Sequence, residues 1–236
     1  MRKIRFEFFI YDMKLKEKFR YGTDELGKIY FMSDLHYNHF NILRMGPRPE
    51  FNTVEEMNDY IKKELSKLKK EDIVFDLGDL FWDVAQEEIY EVLGSCEARI
   101  YKVLGNHDKQ GYYIKDRNYG NGDLTKFFVR VADLFDAGFI NSDTGKESTI
   151  TLCHYPLMSW YRKGYGSLMI HGHTHGNLDA VNDASPDLRV DVGWDGKLAK
   201  EVGSFLVPIE KVIEHMKQKA GGDDFRSYVQ NKCNVI

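Results

Sequence analysis

Polar side chains of the kinds that bind metal ions follow several short apolar segments of this sequence. Asp34 and His36 come after residues 29–32, and Asp79 comes after residues 73–77. The others, in chain order, are Asn106 after residues 99–104, His154 after residues 149–153, and His173 and His175 after residues 167–170. Carboxylates neutralise the charge of divalent cations and one of them can bridge two ions, while imidazoles favour transition metals over Mg²⁺ and Ca²⁺. The sequence therefore predicts a metal centre.

Two of these pieces are pairs separated by one residue, Asp34-Leu35-His36 and His173-Thr174-His175. In an extended chain alternate side chains point the same way, so both members of each pair are expected to face the metal centre. An isolated pair of this kind is more often structural or superficial in a chain with eight histidines. The prediction depends on all five pieces in order, each placed after an apolar segment.

The apolar segments predict strands, and helices are predicted between the first three of them. Thr53 and Glu56 form a capping-box pattern ahead of apolar residues at helical spacing, which predicts a helix over residues 54–69. Residues 84–93 are predicted to form the next helix. An order of strand, helix, strand, helix, strand indicates an α/β sheet, and such sheets build sites at the carboxyl ends of their strands.

The second half of the chain has little helical periodicity until its end. Its strand-like segments predict a second and largely antiparallel set, over residues 134–140, 148–153, 167–171, 188–192 and 202–207. Pro208 is predicted to open a last helix that ends near Gly221 and Gly222. At the other end of the chain, residues 3–11 predict an added strand, followed by a polar stretch over residues 12–26.

The ordered series Asp-x-His, Gly-Asp, Gly-Asn-His-Asp, a strand-ending His and Gly-His-x-His resembles the calcineurin-like metallophosphoesterase family. The resemblance extends from Ile29 to about Val207. It implies an α/β fold in which two mixed β-sheets pack face to face with helices on the outside, as a four-layer α/β/β/α sandwich. The sequence around residues 34–42, with Arg48-Pro49 and Phe51 downstream, is similar to a smaller bacterial and phage branch of the family.

The resemblance also implies roles for individual residues. One metal ion would be held by Asp34, His36 and His175, the other by Asn106, His154 and His173, and Asp79 would bridge them. His107 would stand beside the substrate as a catalytic residue outside the metal ligands. Asp108 would orient the His107 ring by a hydrogen bond.

Three further residues are candidates for contact with the substrate. His39 follows the first ligand pair, although a loop histidine that caps local backbone is the alternative. Arg44 and Arg48 match the geometry of phosphate oxygens, although each is equally explained as the partner of a surface acid. The long polar segment over residues 109–126 fits either a lid beside the site or a surface insertion.

Size and composition limit the classes of protein that need consideration. The 236 residues suit one domain, with the added strand at about residues 1–12 and a C-terminal helix or tail over residues 208–236. With 33 basic and 37 acidic residues, the net charge of -4 provides no global attraction to nucleic acid or anionic membranes. Three widely spaced cysteines fit a reducing, cytoplasmic setting, and no apolar run is long enough to span a bilayer.

These observations predict a metal-dependent phosphoesterase that uses two divalent ions, with manganese preferred and Fe, Zn, Ni or Co as alternatives. The expected reaction is attack of metal-bridged hydroxide on a small-molecule or nucleotide phosphate ester, with a diester favoured over a monoester. Two alternatives stay open at this point. One is a scaffold that keeps the fold and binds a protein partner, and the other is a nuclease for single-stranded nucleic acid, which would need a local basic channel.

Overall fold

A computed structural model describes residues 17–23, 26–45, 48–109 and 123–233 of the chain. Within these residues, ten strands form two five-stranded sheets. Sheet 1 contains β2 (Ile29–Met32), β3 (Ile73–Asp76), β4 (Arg99–Val103), β5 (Phe128–Ala132) and β10 (Val207–Pro208). Sheet 2 contains β1 (Lys18–Tyr21), β6 (Leu134–Asn141), β7 (Glu147–Cys153), β8 (Leu168–His171) and β9 (Arg189–Asp191).

Sheet 1 has the strand order β10-β2-β3-β4-β5, and only β10 is antiparallel to its neighbour. The register places Ile29 opposite Ile73 and Ile73 opposite Arg99, so the carboxyl ends of β2, β3 and β4 lie level with one another. Polar residues that follow these strands therefore emerge at one edge of the sheet.

Sheet 2 has the order β1-β6-β7-β8-β9, and its only antiparallel pairing joins β6 and β7. The prediction of a largely antiparallel second set is therefore wrong. A short turn connects β6 to β7, but longer connections lead into β8 and β9, and parallel strands need such crossovers. Two mixed sheets with helices in an α/β fold confirm the predicted fold class.

Seven α-helices complete the described chain: α1 (Phe40–Met45), α2 (Val54–Leu65), α3 (Gln86–Gly94), α4 (Asp179–Ala184), α5 (Lys197–Val202), α6 (Ile209–Ala220) and α7 (Phe225–Cys233). The hydroxyl of Thr53 accepts a hydrogen bond from the backbone N–H of Glu56 at 3.2 Å, which confirms the capped start of α2. This helix ends at Leu65 rather than at residue 69. Pro208 precedes α6, and this helix ends at Ala220 as predicted, but α7 follows it, so the expectation that α6 is the last helix is wrong. None of the helices in the described ranges is long and apolar enough to cross a membrane.

Two predicted strands differ from the structure. Residues 197–202 form α5, so only Val207 of the strand predicted over residues 202–207 is in a strand, β10, which also contains Pro208. The strand predicted over residues 3–11 lies outside the described residues. Instead, β1 lies within the stretch predicted to be polar, where Phe19 and Tyr21 alternate with exposed residues and point into the core. The expectation of a single domain over the whole chain stays a prediction.

Apolar side chains cover both faces of sheet 1. On one face, aromatic rings of the two sheets interlock: Phe75 lies 5.5 Å from Phe31 and 5.5 Å from Phe139, measured between ring centroids. On the other face, α2 and α3 bury residues such as Met57 and Val92 against the sheet. This packing holds the strand ends rigidly, and rigid elements are what a metal site requires.

Candidate metal centre

Left-handed backbone conformations mark the strand ends where the predicted ligands lie. The φ angles are 58° at Asp34, 48° at His36, 57° at Asp79, 68° at His173 and 48° at His175. The predicted alternation of an extended chain is therefore wrong, because sharp backbone reversals aim these side chains. Such conformations are strained for residues other than glycine, although Asp and His tolerate them better than most, and they cluster at functional sites.

Close approach of the loops fixes these reversals. The N–H of Asp34 donates to the carbonyl of Gly78 at 3.0 Å, and the N–H of His173 donates to the Asp34 carboxylate at 2.8 Å. A Cβ atom on Gly172 would lie 2.3 Å from that carboxylate, and one on Gly105 would lie 2.1 Å from the Asp79 carboxylate. Only glycine allows the loops after β8 and β4 to come this close.

Asp34, His36 and His175 form the first group of candidate ligands, with one atom from each lying within 4.8 Å of the others. The His36 side chain is buried, and neither ring nitrogen has a hydrogen-bond partner among the described residues. Within the same part of the chain, one oxygen of the buried Asp34 carboxylate also lacks a partner. Burial lowers the pKa of His36 to about 3, so its ring is neutral at pH 7. Buried polar atoms are normally hydrogen-bonded, and this cluster of exceptions fits a cation.

Asp34, Asp79 and His154 form a second group with the same spacing. The Nδ1 atom of His154 lies 2.8 Å from the Leu77 carbonyl, to which it donates. Its Nε2 atom then faces the Asn106 amide oxygen at 2.9 Å and the Asp79 carboxylate at 3.3 Å. Burial opposes a charge on His154, but its contacts with Asp79 and Asp34 outweigh burial and raise its pKa. Two oxygens and a ring nitrogen facing one another suit a cation among them.

The remaining predicted residues border these two groups on the exposed side. The His173 ring lies 5.0 Å from the ring of His154, measured between centroids. The His107 ring lies 5.5 Å from the ring of His36, and the His107 N–H donates to the Asp79 carboxylate at 2.8 Å. The structure therefore brings all seven predicted ligands and His107 to one edge of the two sheets.

Asp108 does not orient His107 in the predicted way. One oxygen of Asp108 accepts from the backbone N–H groups of Asp79 and Gly105, at 3.1 and 2.8 Å, and contacts Lys102 at 2.9 Å. Its other oxygen has no hydrogen-bond partner in the part of the chain that the structure describes. Asp108 therefore ties the loops after β3 and β4 together. The His107 ring instead packs against Trp82, with 4.4 Å between ring centroids.

The three predicted substrate contacts have different surroundings. Arg48 is 1 % exposed and pairs with Asp195, so the expectation that it contacts a substrate is wrong. His39 stacks on Trp82 with parallel rings 3.7 Å apart, which leaves it beside the site, and Arg44 is exposed in the last turn of α1. Substrate contacts by His39 and Arg44 stay predictions. Most of the segment over residues 109–126 lies outside the described residues.

Three residues beside the site were missed by the sequence analysis. Asp195 accepts a hydrogen bond from His175 at 2.7 Å and lies shortly after β9, a placement after a strand like that of the other acids. Lys102 is fully buried between Asp76 and Asp108, and a lysine inside an apolar strand could have indicated such a role. Trp82 carried no signal, because a single aromatic residue in a loop has no distinctive spacing.

Comparison with known proteins identifies the family. Residues 27–177 match the calcineurin-like phosphoesterase family over most of the chain. The chain belongs to this family. This calcineurin-like phosphoesterase is 34% identical over 152 residues to an uncharacterised protein, MJ1445, of Methanocaldococcus jannaschii. The matched region covers 64% of this chain and 70% of that protein. It is also similar to a crystal structure of a protein of unknown function, AQ665, from Aquifex aeolicus, with 25% identity, a TM-score of 0.54, and 80% and 99% of the two chains covered.

Proposed function

We propose that this protein hydrolyses a phosphate ester with two divalent metal ions and prefers diesters to monoesters. The observation that carries the proposal is the cluster of buried atoms without partners on His36 and Asp34, at the edge where the other candidate ligands meet. A structural histidine in that position would be expected to have a hydrogen-bond partner. Membership of the phosphoesterase family supports the same chemistry.

We propose that the ligands divide between the two ions as the family resemblance implies. Asp34, His36 and His175 would hold one ion; Asn106, His154 and His173 would hold the other; Asp79 would serve both. The first group of candidate ligands supports the first set, the second group supports the other set through Asp79 and His154, and Asp34 belongs to both groups. Asp79 suits a shared role because its carboxylate lies 3.3 Å from His154 and 4.0 Å from His36. When bound, such ions acidify a water molecule to supply the nucleophile and neutralise charge on the phosphoryl oxygens.

His107 is proposed to act on the leaving group. Its backbone N–H is fixed to Asp79, its ring packs on Trp82, and its side chain is exposed at the mouth of the site. An imidazole held in this way can donate a hydrogen bond or a proton to the departing oxygen. The packing against Trp82 takes over the orienting role that the sequence analysis had assigned to Asp108.

The pairing of Arg48 with Asp195 supports a preference for diesters. A phosphate monoester carries up to two negative charges and benefits from a guanidinium fork, whereas a diester carries one. Because both sides of the Arg48 fork are occupied by Asp195 and by backbone carbonyls, that guanidinium is not offered to the substrate. Arg48 therefore offers no positive charge to a dianionic monoester, and this supports the proposed preference for diesters.

Manganese is the proposed ion because four of the candidate ligands are imidazoles, which Mg²⁺ accepts poorly. A small-molecule or nucleotide phosphate ester is the proposed substrate class. A reducing, cytoplasmic setting is also proposed, supported by free thiols at Cys96 and Cys153, of which Cys153 is buried in the core.

The test is a panel of phosphate mono- and diesters assayed on metal-free protein after addition of Mn²⁺, Ni²⁺, Zn²⁺, Co²⁺ or Mg²⁺. The wild type should hydrolyse an aryl diester faster than the matching monoester, and Asp79→Asn should lose this activity. Asp143→Asn, an exposed aspartate in the turn between β6 and β7, is the matched control and should behave as wild type. Metal binding without turnover of any ester would favour the scaffold alternative and refute the proposed reaction.

A further inference from the structure

The guanidinium of Arg48 is bonded on every side. Its Nε and Nη2 atoms donate to the two carboxylate oxygens of Asp195 at 2.8 and 3.0 Å, which is the bidentate geometry of a strong ion pair. Nη1 donates to the carbonyl of Leu35 at 2.8 Å, and Nη2 also donates to the carbonyl of Asp34 at 2.7 Å. Arg48 therefore holds the two backbone carbonyls that lie between Asp34 and His36, within the turn that presents these residues.

Asp195, the other member of the ion pair, contacts His175, the third candidate ligand of the first group. Asp195 accepts from Nδ1 of His175 at 2.7 Å. This bond turns Nε2 of His175 toward the Asp34 carboxylate, 3.9 Å away. The single pair Arg48–Asp195 thus contacts the backbone at Asp34 and the ring of His175, although these residues come from different sheets.

Burial indicates that the pair serves a purpose other than fold stability. The Arg48 and Asp195 side chains are 1% and 0% exposed, and Trp194 covers the guanidinium with its ring centroid 4.2 Å away. Removing two charges from water opposes their mutual attraction, so apolar residues of similar size often stabilise a core at least as well. A fully buried pair that contacts candidate ligands on two sheets is better explained by the geometry that it imposes.

We infer that Arg48 and Asp195 are positioning residues for one ion of the pair, the ion held by Asp34, His36 and His175. The inference rests on the proposed function for the presence of that ion. Asp195 holds His175 in the tautomer with the proton on Nδ1 and leaves Nε2 free to bind. Arg48 fixes Asp195 and the turn after β2 relative to each other. Partners of this kind are typically worth about 10–100-fold in metal affinity.

The experiment is a titration of metal-free protein with Mn²⁺. Calorimetry and electron paramagnetic resonance measure the binding of each ion. Asp195→Asn should weaken the binding of one ion by about 10–100-fold and leave the other ion's affinity at the wild-type value. Arg48→Lys, which keeps the charge but loses the fork, should show a smaller loss in the same ion. His36→Ala identifies that ion, and adding Asp195→Asn to His36→Ala should produce little further loss because both changes affect one site.

Stability is separated from positioning by a double variant. Arg48→Met combined with Asp195→Leu removes both charges together, so neither is left buried alone, although the carbonyls of Asp34 and Leu35 lose their donor. In the metal-free form the double variant should melt at a higher temperature than Asp195→Leu alone while retaining the selective loss of one ion. Arg130→Met, which breaks a surface pair with Glu17, is the matched arginine control and should bind both ions normally.

The outcomes distinguish a failure of the positioning role from a failure of the proposed function. The wild type is expected to bind two ions. If Asp195→Asn and the double variant bind both ions at wild-type affinity, the positioning role is overturned and the proposed function still stands. Equal weakening of both ions in these variants would also overturn it, because the effect would not be specific to one site. A wild type that binds no Mn²⁺ would refute the proposed function itself.

Discussion

Replacing His36 with leucine should make the metal-free protein more stable, although it removes a proposed ligand. The His36 ring is 2% exposed, and both of its nitrogens lack hydrogen-bond partners within the described ranges. Buried polar atoms without partners lower the free energy of unfolding, and a site shaped for a cation carries this cost whenever the cation is removed. Leucine fills a similar volume without polar atoms, so the substitution takes away the cost together with the ligand.

The size of the effect follows from the surroundings of the ring. Each buried polar atom without a partner costs about 1–3 kcal/mol, so removing both nitrogens should stabilise the protein by roughly 2–6 kcal/mol. The left-handed backbone at residue 36, with φ 48°, suits leucine less well than histidine. That preference and imperfect packing together oppose the gain by on the order of 1–3 kcal/mol. The central expectation is a gain of about 2 kcal/mol, or roughly 4–8 °C in melting temperature for a chain of this size.

Thermal melts in the presence of a chelator provide the assay, and His171 provides the control. His171 is also buried, but its Nδ1 atom donates to the Gly172 carbonyl at 2.8 Å and its Nε2 atom accepts from Asn182 at 3.1 Å. His171→Leu should therefore lower the melting temperature, because it leaves the side-chain N–H of Asn182 without its acceptor. If His36→Leu lowers the melting temperature as much as His171→Leu, the reasoning from unpaired nitrogens is refuted.

Three further predictions concern the ions and the reaction. Asp79→Asn should weaken both ions, whereas His36→Ala should weaken mainly one, because the Asp79 carboxylate lies near ligands of both groups; two tightly held ions in Asp79→Asn, found by elemental analysis, would contradict this. His107→Ala should lower turnover by about 10²–10⁴-fold with normal metal content. That loss should be larger on nucleotide esters than on nitrophenyl esters, and equal losses with chemistry rate-limiting would remove the acid role. Activity should vanish after chelation and return with Mn²⁺ far better than with Mg²⁺; full activity after dialysis against a chelator would count against a metal requirement.

The positions of the candidate ligands were predictable because their signal is local. Each of Asp34, Asp79 and His154 follows a short apolar segment, and a strand that ends in a polar residue delivers it to the edge of a sheet. The two helices between the first three strands were predictable for a similar reason, because caps and helical spacing are read within one segment. Their ends were less certain, as the early end of α2 shows.

The directions of the strands in sheet 2 were not predictable from the segments themselves. Strand propensity does not distinguish parallel from antiparallel neighbours, and that choice depends on how the connections pack. The backbone reversals at Asp34 and His36 were also hidden, because Asp-x-His fits an extended chain as well as two left-handed residues. Only the approach of neighbouring loops requires the second conformation.

The role of Arg48 was also not predictable, because its partner is distant in the sequence. Its partner Asp195 lies 147 positions away in the chain, and both residues have side chains that are usually exposed. From the sequence, an arginine near a phosphate site is reasonably assigned to the substrate. In the folded protein the guanidinium is buried and binds Asp195 and the backbone carbonyls of Asp34 and Leu35 instead.

Diffraction from crystals grown with Mn²⁺, recorded at the manganese absorption edge, tests the central claim most directly. The account predicts two anomalous peaks at the edge where β2, β3, β4, β7 and β8 end, with the Asp79 carboxylate between them. One peak should contact Asp34, His36 and His175, and the other Asn106, His154 and His173. A single peak, no peak, or peaks that do not contact Asp79 would contradict the proposal of a two-metal phosphoesterase.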